Sequence, residues 1–274
     1  PFFEEVFMIT LSGYEILNEI YSGEKSLVFR GLKSNKPVII KILQNEYPSP
    51  VELSGFKQEY EVLKKIQTNS SSVVRVLGLE KYKNGLAIIF EDIGGEAISR
   101  ILVDIQSMPQ KEILNILIQS AKALGEIHAA GLVHKDIKSH NIVLNQKTGE
   151  LQIIDFGNAS YLSKQNSYTP LNSSLEGTLA YISPEQTGRM NRTIDYRTDY
   201  YSLGVTFYQI LTGELPFVSS DPMELVHAHI AKMPTPPIDS GLKPTGQRVG
   251  YSLSKVISDI VMKLLQKNPE DRYQ

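Results

Sequence analysis

Two short polar stretches near the middle of the sequence constrain the fold of this chain most. Residues 134–141 read HKDIKSHN, and residues 155–157 read DFG. The first stretch supplies the Asp136 carboxylate, which can accept a hydroxyl proton, and the Asn141 amide; the second supplies the Asp155 carboxylate. Amide and carboxylate oxygens are hard ligands of the kind that Mg²⁺ prefers. Together and in this order, the two stretches predict one site that combines a general base with bound metal.

A base next to a metal fits the transfer of a phosphoryl group. This reaction needs a positioned hydroxyl and neutralised phosphate oxygens, and little covalent chemistry from the protein. We interpret Asp136 as the base and Asn141 and Asp155 as Mg²⁺ ligands, with Lys138 reaching the transferred phosphate to neutralise its developing charge. A polar turn between strands is the alternative, because Asp, Asn and Gly favour turns. Four such groups at these spacings favour the catalytic interpretation.

The composition is that of a globular chain and excludes several classes of protein. Of the 274 residues, 41% are hydrophobic and 21% are charged, which fits one two-lobed domain or two small ones. The net charge of -2 offers no basic stripe for nucleic acid. Apolar runs such as residues 86–90 fall far short of the ~18 residues of a membrane span. The absence of Cys fits a reducing, cytoplasmic compartment. Separately, we expect the isolated domain to be a monomer.

The ends of the sequence predict a domain of a longer chain. Residues 1–7 (PFFEEVF) lack an initiating Met and a basic n-region, so we interpret Met8 as the biological start and residues 1–13 as an N-terminal extension. No helix-stop signal precedes Gln274, so we expect the natural chain to continue.

The first part of the chain is rich in predicted strands. Residues 14–43 alternate apolar and polar side chains between Gly breaks, which predicts three antiparallel strands. Residues 53–67 change to helical spacing. Residues 73–79 and 86–91 then form a predicted hairpin around a Lys-Asn-Gly turn at 83–85.

Beyond Gly94 and Gly95, which we interpret as a hinge, long helical patterns dominate. The helical patterns cover residues 113–128, 201–211 and 256–266. We therefore predict an α+β fold of two lobes. Residues 14–93 form a small antiparallel β-sheet lobe with one helix, and residues 94–274 form a larger, mainly helical lobe, truncated near its last helix.

Lys41 ends an apolar strand pattern and allows two interpretations. It is either a solvated strand terminus or a lysine that contacts nucleotide phosphates and pairs with a carboxylate on a helix. Glu59 distinguishes them, because it lies three residues after Phe56 and four before Leu63 and so shares their inward-facing stripe. A carboxylate there is costly unless it is paired. We predict an ion pair between Lys41 and Glu59.

Two residues of the larger lobe are predicted to hold the loop at 134–141, and two others are predicted to form an ion pair. We interpret His134 as a core residue that holds the loop backbone. Asp199 either caps an apolar helix or anchors this backbone, and the two roles are compatible. Glu185 would need a cation if buried, and Arg272 is the candidate.

Residues 177–185 (GTLAYISPE) have the form of a segment that closes a groove for a peptide substrate. Thr178 in this segment would form a hydrogen bond near Asp136 and Lys138. His227 and His229 lie two residues apart on a predicted helix and so face different directions. We interpret both as surface residues and not as a metal-binding pair.

Taken in order, these motifs resemble those of eukaryotic-like Ser/Thr protein kinases, over residues 14–274. The residues that carry the resemblance are Lys41, Glu59, the loop at 134–141, residues 155–157 and 183–185, Asp199 and Arg272. More narrowly, residues 176–192 (EGTLAYISPEQTGRMNR) are similar to the kinase domain that begins bacterial hybrid proteins. In those proteins a P-loop ATPase region, a GAF domain and a histidine kinase follow.

The resemblance implies ATP and Mg²⁺, and phosphorylation of Ser or Thr in a protein substrate during bacterial signalling, with further signalling domains linked downstream. The residues implied to be catalytic are Asp136, Lys138, Asn141 and Thr178, and the implied metal ligands are Asn141 and Asp155. The residues implied to bind the nucleotide are Ile20, Tyr21, Gly23, Val28, Ile39, Lys41, Glu59, Phe90, Glu91, Ile93, Val143 and Asp155. Within this set, Phe90 is the gatekeeper and Glu91 and Ile93 are the hinge contacts. Adenine would lie against Val28, Ile39 and Val143.

The sequence departs from the kinase pattern at the glycine-rich loop, G-x-G-x-x-G-x-V in the family. Residues 21–28 read YSGEKSLV and keep only the middle glycine, Gly23. Glycines in this loop let backbone N–H groups approach phosphates closely. Tyr21 and Ser26 are therefore expected to loosen ATP binding or to change its geometry. Ile39 stands at the usual Ala position and is expected to narrow the adenine pocket.

A second departure lies beside the proposed base, where Lys135 replaces the usual Arg. Because Lys cannot bind a phosphate in a bidentate manner, this argues against control by phosphorylation of the activation loop. Hydroxyls for such control are nevertheless present at Thr169, Ser173 and Ser174.

Two other functions stay open. The altered glycine-rich loop is compatible with a pseudokinase, a nucleotide-binding scaffold that transfers nothing. A small-molecule kinase would share Asp136, Asn141 and Asp155, but such enzymes usually lack the segment at 177–185 and the helix of Asp199.

Overall fold

The computed structural model describes residues 9–67, 72–162, 179–189, 192–240 and 253–274. The chain divides into two compact units. The first unit comprises residues 1–68 together with 74–94, and the second comprises 69–73 together with 95–274.

The first unit is built on one antiparallel sheet of five strands. The strands are β1 (Glu15–Ser22), β2 (Ser26–Lys33), β3 (Lys36–Leu43), β4 (Val76–Tyr82) and β5 (Gly85–Glu91), in the order β1-β2-β3-β5-β4. A two-residue turn joins β2 to β3, in which Ser34 and Asn35 have φ values of 50° and 63°. Positive φ at both positions matches the twist of the flanking strands, which keeps the hairpin in register. The prediction of three strands over residues 14–43 is confirmed.

Helix α1 (Pro50–Ile66) completes the first unit. Ser49 caps its N-terminus in a capping box with Glu52, and Pro50 occupies the first turn, where its missing N–H costs nothing. These signals start the helix three residues before the predicted position at 53. The buried residues of the helix are Phe56, Glu59, Val62, Leu63 and Ile66.

The strand predicted at 73–79 begins later than expected, at Val76. Val73 belongs to the second unit, where it forms a parallel bridge with Ile153. The extended backbone at Val73 was predicted correctly, but its pairing partner was not.

The two faces of the sheet differ, and this difference positions the candidate site. One face carries an apolar cluster of Leu11, Phe29, Val38, Ile40, Ile42, Ala87 and Ile89. Because side chains alternate along a strand, burial of Val38, Ile40 and Ile42 on this face directs Ile39 and Lys41 to the other. We call the face that carries Lys41 the inner face.

The second unit is mainly helical. Its helices are α2 (Leu102–Gln106), α3 (Gln110–Ala129), α4 (Arg197–Thr212), α5 (Pro222–Ala231), α6 (Pro237–Ser240) and α7 (Lys255–Leu264). Its short strands are β6 (Glu96–Ala97), β7 (Leu132–Val133), β8 (Ile142–Leu144), β9 (Leu151–Ile153) and β10 (Ser160–Tyr161). They pair as a three-stranded sheet, β6-β8-β9, and a two-stranded sheet, β10-β7.

Helix α4 is buried along most of its length, as its nearly continuous apolar pattern predicts. Gly204 allows its close approach to α7, because a Cβ at Gly204 would lie 2.8 Å from the Leu264 Cβ. The three predicted helices at 113–128, 201–211 and 256–266 correspond to α3, α4 and α7.

The predicted fold class is confirmed: an antiparallel sheet with one helix forms the first unit, and helices dominate the second. Among the described residues, no helix is both long enough and apolar enough to cross a membrane.

Candidate active site

An ion pair joins β3 to α1 in the first unit. The Lys41 ammonium lies 2.8 Å from Oε1 and 2.9 Å from Oε2 of Glu59. Their side chains are only 13% and 4% exposed, so each charge requires the other. The predicted pair between Lys41 and Glu59 is confirmed. The position of Glu59 on the inward-facing stripe of the helix indicated this partner correctly.

The strand register places further predicted residues beside Lys41. Val28 pairs with Lys41 across β2 and β3, and Lys41 pairs with Ile88 across β3 and β5. Residues directly opposite one another on antiparallel strands share a face of the sheet. Val28 and Ile39 are both half-buried, so the inner face offers apolar surface next to the ammonium.

The segment after β5 is fixed by a residue that the sequence analysis missed. Phe90 is buried, and the Glu91 N–H donates to the Arg75 carbonyl at 2.9 Å. Asp92 follows, with its Oδ2 2.6 Å from the Arg30 Nε and its Oδ1 accepting the Gly94 N–H at 2.7 Å. Asp side chains commonly accept a hydrogen bond from the backbone two residues on, so Asp92 in this position could have indicated the contact to Gly94. Ile93, the other predicted hinge residue, is half-buried.

In the second unit the loop at 134–141 closes on the Asp136 carboxylate. Its Oδ2 accepts from the Lys138 Nζ at 2.9 Å and from the Asn141 Nδ2 at 3.2 Å. The same Asn141 amide donates to the Asp136 carbonyl at 2.8 Å. Asn158, which the sequence analysis did not select, makes a longer contact of 3.5 Å to Oδ2. The structure thus brings Asp136, Lys138 and Asn141 together.

Asp155 lies close enough to Asp136 for the two carboxylates to interact. Burial raises the pKa of the Asp136 carboxyl, the Lys138 ammonium opposes this rise, and the negative charge of Asp155 adds to it. A base with a raised pKa holds the accepted proton more readily.

The backbone explains why Asp155 reaches this position. The Ile154 N–H donates to the Asn141 carbonyl at 2.9 Å, which ties the residue before Asp155 to the residue predicted to share a metal with it. Asp155 and Lys135 have φ values of 64° and 66°. Residues other than glycine in this left-handed region carry strain, which tends to occur at functional sites.

Asp199 on α4 anchors the backbone of the loop. Its Oδ2 accepts the His134 N–H at 2.8 Å and its Oδ1 accepts the Lys135 N–H at 2.7 Å. The predicted anchoring role is confirmed, whereas the capping role is wrong. Helix α4 begins at Arg197 after Tyr196, which places Asp199 inside the first turn, and no side chain caps this end.

His134 holds the loop from inside the core, as predicted. The ring is fully buried and packs edge-on against Phe156 at 4.8 Å between ring centroids. Its Nδ1 accepts the Asp136 N–H at 3.3 Å, so Nε2 carries the proton and donates to the Ile154 carbonyl at 3.1 Å. His128, which was not selected, contacts the Asp199 Oδ2 through Nε2 at 2.9 Å.

The predicted buried pair between Glu185 and Arg272 is also confirmed. Two parallel contacts of 2.7 Å and 2.9 Å join the guanidinium to the carboxylate, with both side chains nearly inaccessible to solvent. Gln186, the next residue along the chain, donates to the Lys135 carbonyl at 2.9 Å. No local pattern in the sequence indicates this contact, because the two residues are 51 positions apart.

Two further predictions have different outcomes: one stays untested and the other is wrong. Thr178, together with Thr169, Ser173 and Ser174, lies outside the described residues. The interpretation of His229 as a surface residue is wrong: it is fully buried on α5, with its Nδ1 3.0 Å from the Tyr201 hydroxyl. The missed signal was its apolar neighbourhood.

The ligand set fits Mg²⁺ only with help from phosphate. In the described part of the chain, no group of three or more His, Cys, Asp or Glu side chains could hold a metal ion. Because the Asn141 Nδ2 donates twice to Asp136, its Oδ1 is the atom left for a cation. Mg²⁺ commonly binds one or two protein oxygens and completes its shell with waters and substrate phosphates.

Comparison with known proteins agrees with this geometry. A probable serine/threonine-protein kinase of Clostridium perfringens is 30% identical over 95% of this chain and 36% of its own length. PknB of Mycobacterium leprae is 29% identical over 89% of this chain and 38% of its own length. A serine/threonine-protein kinase of Myxococcus xanthus, pkn3, is 28% identical over 94% of this chain and 47% of its own length. The chain therefore spans less than half the length of each of these relatives. The protein kinase domain family matches residues 14–274, and the chain belongs to this family.

Proposed function

We propose that the chain is an ATP-dependent protein serine/threonine kinase domain of a bacterial signalling protein. The observation that carries the proposal is the Asp136 carboxylate, held by Lys138 and Asn141 and electrostatically coupled to Asp155. These residues supply the base, the cation and the oxygen ligands that phosphoryl transfer requires.

In the proposed reaction the acceptor hydroxyl oxygen of a Ser or Thr bonds to the γ-phosphorus of ATP. The bond from that phosphorus to the β–γ bridging oxygen breaks, and ADP leaves. Asp136 orients the hydroxyl and takes its proton, and Lys138 neutralises charge on the transferred group. Mg²⁺, held by Asn141 and Asp155, would supply positive charge to the phosphate oxygens. Thr178 is proposed to hydrogen-bond near Asp136.

The first unit is proposed to bind the nucleotide through its inner face. Lys41, fixed by Glu59, would contact the α- and β-phosphates. Val28 and Ile39 would contact adenine, with Val143 of the second unit. The other proposed nucleotide contacts are Ile20, Tyr21, Gly23, the gatekeeper Phe90, the hinge residues Glu91 and Ile93, and Asp155.

More narrowly, we propose that the chain is the cytoplasmic N-terminal kinase domain of a bacterial hybrid protein. The similarity of residues 176–192 supports this assignment. We propose an N-terminal extension at residues 1–13, a smaller lobe at 14–93 and a larger lobe at 94–274. The isolated domain is proposed to be a monomer, with signalling domains linked downstream. Sequencing past Gln274 tests the assignment: an ATPase region, a GAF domain and a histidine kinase would support it, and a different arrangement would exclude it.

The pseudokinase alternative is motivated only by the altered glycine-rich loop. It is not favoured, because a scaffold has no need of the ordered set around Asp136. A transfer assay separates the two functions directly.

The assay measures transfer of the labelled γ-phosphoryl of MgATP to a generic basic protein, with nucleotide binding measured in parallel. Because general base catalysis contributes on the order of 10²–10⁴-fold, Asp136→Ala should lower transfer by at least about 10²-fold and leave ATP binding nearly unchanged. Asp259→Ala, which removes an exposed carboxylate on α7, is the control. Equal turnover in Asp136→Ala would refute the proposed base, and ATP binding without transfer by the wild-type chain would favour the scaffold.

A further inference from the structure

Tyr21 stands on the inner face of the sheet, in line with the Lys41 ammonium. It pairs with Val28 across β1 and β2, and Val28 pairs with Lys41 across β2 and β3. These residues form a row across three strands, on the face opposite the apolar cluster. Ser22, the next residue, lines a cavity of about 310 Å³ on that opposite face, together with Phe29 and Ile42. The Tyr21 side chain is therefore directed to the side of the sheet proposed to hold the nucleotide.

The Tyr21 ring lies back over the turn between β1 and β2. A Cβ at Gly23 would overlap the Tyr21 hydroxyl oxygen and would lie 2.6 Å from the ring Cζ. Gly23 thus makes room for the phenol, and any larger residue would displace it. The side chain is 52% exposed, and among the described residues its hydroxyl has no hydrogen-bond partner.

The turn does not present its backbone in the manner of a glycine-rich loop. The N–H of Gly23 donates to the Ser26 carbonyl at 3.1 Å and is used within the turn. Tyr21 and Ser26 stand where the family has glycine, and their side chains prevent the close backbone approach that glycine permits. The exposed Glu24 carboxylate also repels phosphate. A side-chain hydroxyl near the turn is therefore a candidate donor for phosphate in place of the Gly23 N–H.

We infer that the Tyr21 hydroxyl donates a hydrogen bond to a phosphate of the nucleotide and replaces a backbone N–H of the glycine-rich loop, with Gly23 serving to seat its ring. The inference rests on the proposed function and deepens it. It also reverses the expectation from sequence, in which Tyr21 loosens ATP binding. The phenol ring of Tyr21 places its hydroxyl donor next to Gly23, two residues further along the turn. A glycine at position 21 has no side chain and could not place a donor there.

The test compares the dissociation constants of ATP, ADP and adenosine, measured by calorimetry with Mg²⁺ present. Tyr21→Phe keeps the ring and removes the donor, so ATP and ADP should bind about five- to tenfold more weakly, the loss expected for one hydrogen bond to a charged group at a partly exposed position. Adenosine, which has no phosphate, should bind as it does to the wild type. Tyr47→Phe is the matched control, because Tyr47 is 75% exposed in the loop before α1.

A second variant tests the role of Gly23. Gly23→Ala should displace the phenol and weaken ATP binding by a similar factor. In the Tyr21→Phe background the same substitution should have little further effect, because both changes remove one donor. Unchanged ATP affinity in Tyr21→Phe, or an equal loss for adenosine, would overturn the inference. If the wild-type chain bound ATP but transferred nothing, the proposed kinase activity would be wrong, while the binding comparison would still decide the role of Tyr21.

Discussion

The loop at 134–141 in the second unit and the turn between β1 and β2 in the first unit are built in opposite ways. The loop is held from several sides: Lys138 and Asn141 donate to the Asp136 carboxylate, and Asp199 fixes the backbone before it. The turn is held by backbone bonds alone, from Gly23 to Ser26 and from Gln44 to the Lys25 carbonyl among the described residues, with mostly exposed side chains around it.

This difference follows from the chemistry that each region is proposed to perform. Proton transfer and metal binding depend on atoms placed to within a few tenths of an ångström, so each group must be fixed by several others. A phosphate oxygen accepts a hydrogen bond from a backbone amide, a hydroxyl or an ammonium alike. A phosphate-binding turn can therefore exchange one kind of donor for another, and a catalytic loop cannot.

The largest effect should come from removing the anchor of the loop. Asp199→Ala leaves the buried His134 N–H and the partly buried Lys135 N–H without their acceptor, and we expect a loss of about 3–5 kcal/mol in the free energy of unfolding. Asp199→Asn keeps one acceptor oxygen and should fold. Its kcat should fall on the order of 10²-fold through misplacement of Asp136, with the dissociation constant of ATP within about twofold of the wild type.

Chemical denaturation measures the first effect and steady-state kinetics the second. Asp259→Ala serves as the control, because it removes an exposed carboxylate that pairs with Lys255 and should change stability by less than about 1 kcal/mol. Normal stability and normal kcat in Asp199→Asn would show that the loop does not depend on this anchor, and the contrast with the turn would fail.

The contacts of buried charged residues were the part of this structure that the sequence predicted best. The pair of Lys41 and Glu59 was predictable, because a carboxylate on an apolar stripe must find a cation. The pair of Glu185 and Arg272 was predictable for the same reason, since a buried charge has few partners available. In both cases a buried carboxylate is stable only when it is paired with a cation. The hydrophobic pattern of the sequence indicates that the carboxylate is buried.

The errors arose where local pattern carried no information about distant partners. Val73 pairs with Ile153 and not with its neighbours along the predicted hairpin, and His229 is buried by contact with Tyr201. The contact from Gln186 to the Lys135 carbonyl joins segments that no periodicity connects. Tyr21 is a different case, because its substitution for glycine was visible in the sequence while the direction of its side chain was not.

A second, smaller effect concerns the pH dependence of the loop. Burial raises the pKa of Asp136, and the Lys138 ammonium acts against this rise. Lys138→Met should therefore raise this pKa further. Because Asp136 accepts a proton only when ionised, kcat falls as the pH drops through its pKa, and the acidic limb of the kcat profile should move to higher pH in the variant.

The measurement is kcat at saturating ATP from pH 5 to pH 9, with Lys255→Met as the control for a lost surface ammonium. The position of the limb carries the information, since Lys138→Met also lowers kcat at every pH by removing charge from the transferred phosphate. A limb that stays in place or moves to lower pH would show that Lys138 does not act on Asp136.

The smallest effect should come from replacing the acidic residue of the turn by glycine. Glu24→Gly removes an exposed negative charge from the region proposed to bind phosphate and should tighten ATP binding only about two- to threefold, the size expected for one solvent-screened charge. Binding of adenosine should not change. Glu61→Gln, which removes an exposed carboxylate of α1, controls for net charge.

If phosphate recognition depends on the Tyr21 hydroxyl, Tyr21→Phe should weaken ATP binding as much in the Glu24→Gly background as in the wild type. If the added glycine instead abolished that dependence, a backbone amide would have taken over the contact, and the turn would be an altered glycine-rich loop rather than a different solution to binding phosphate.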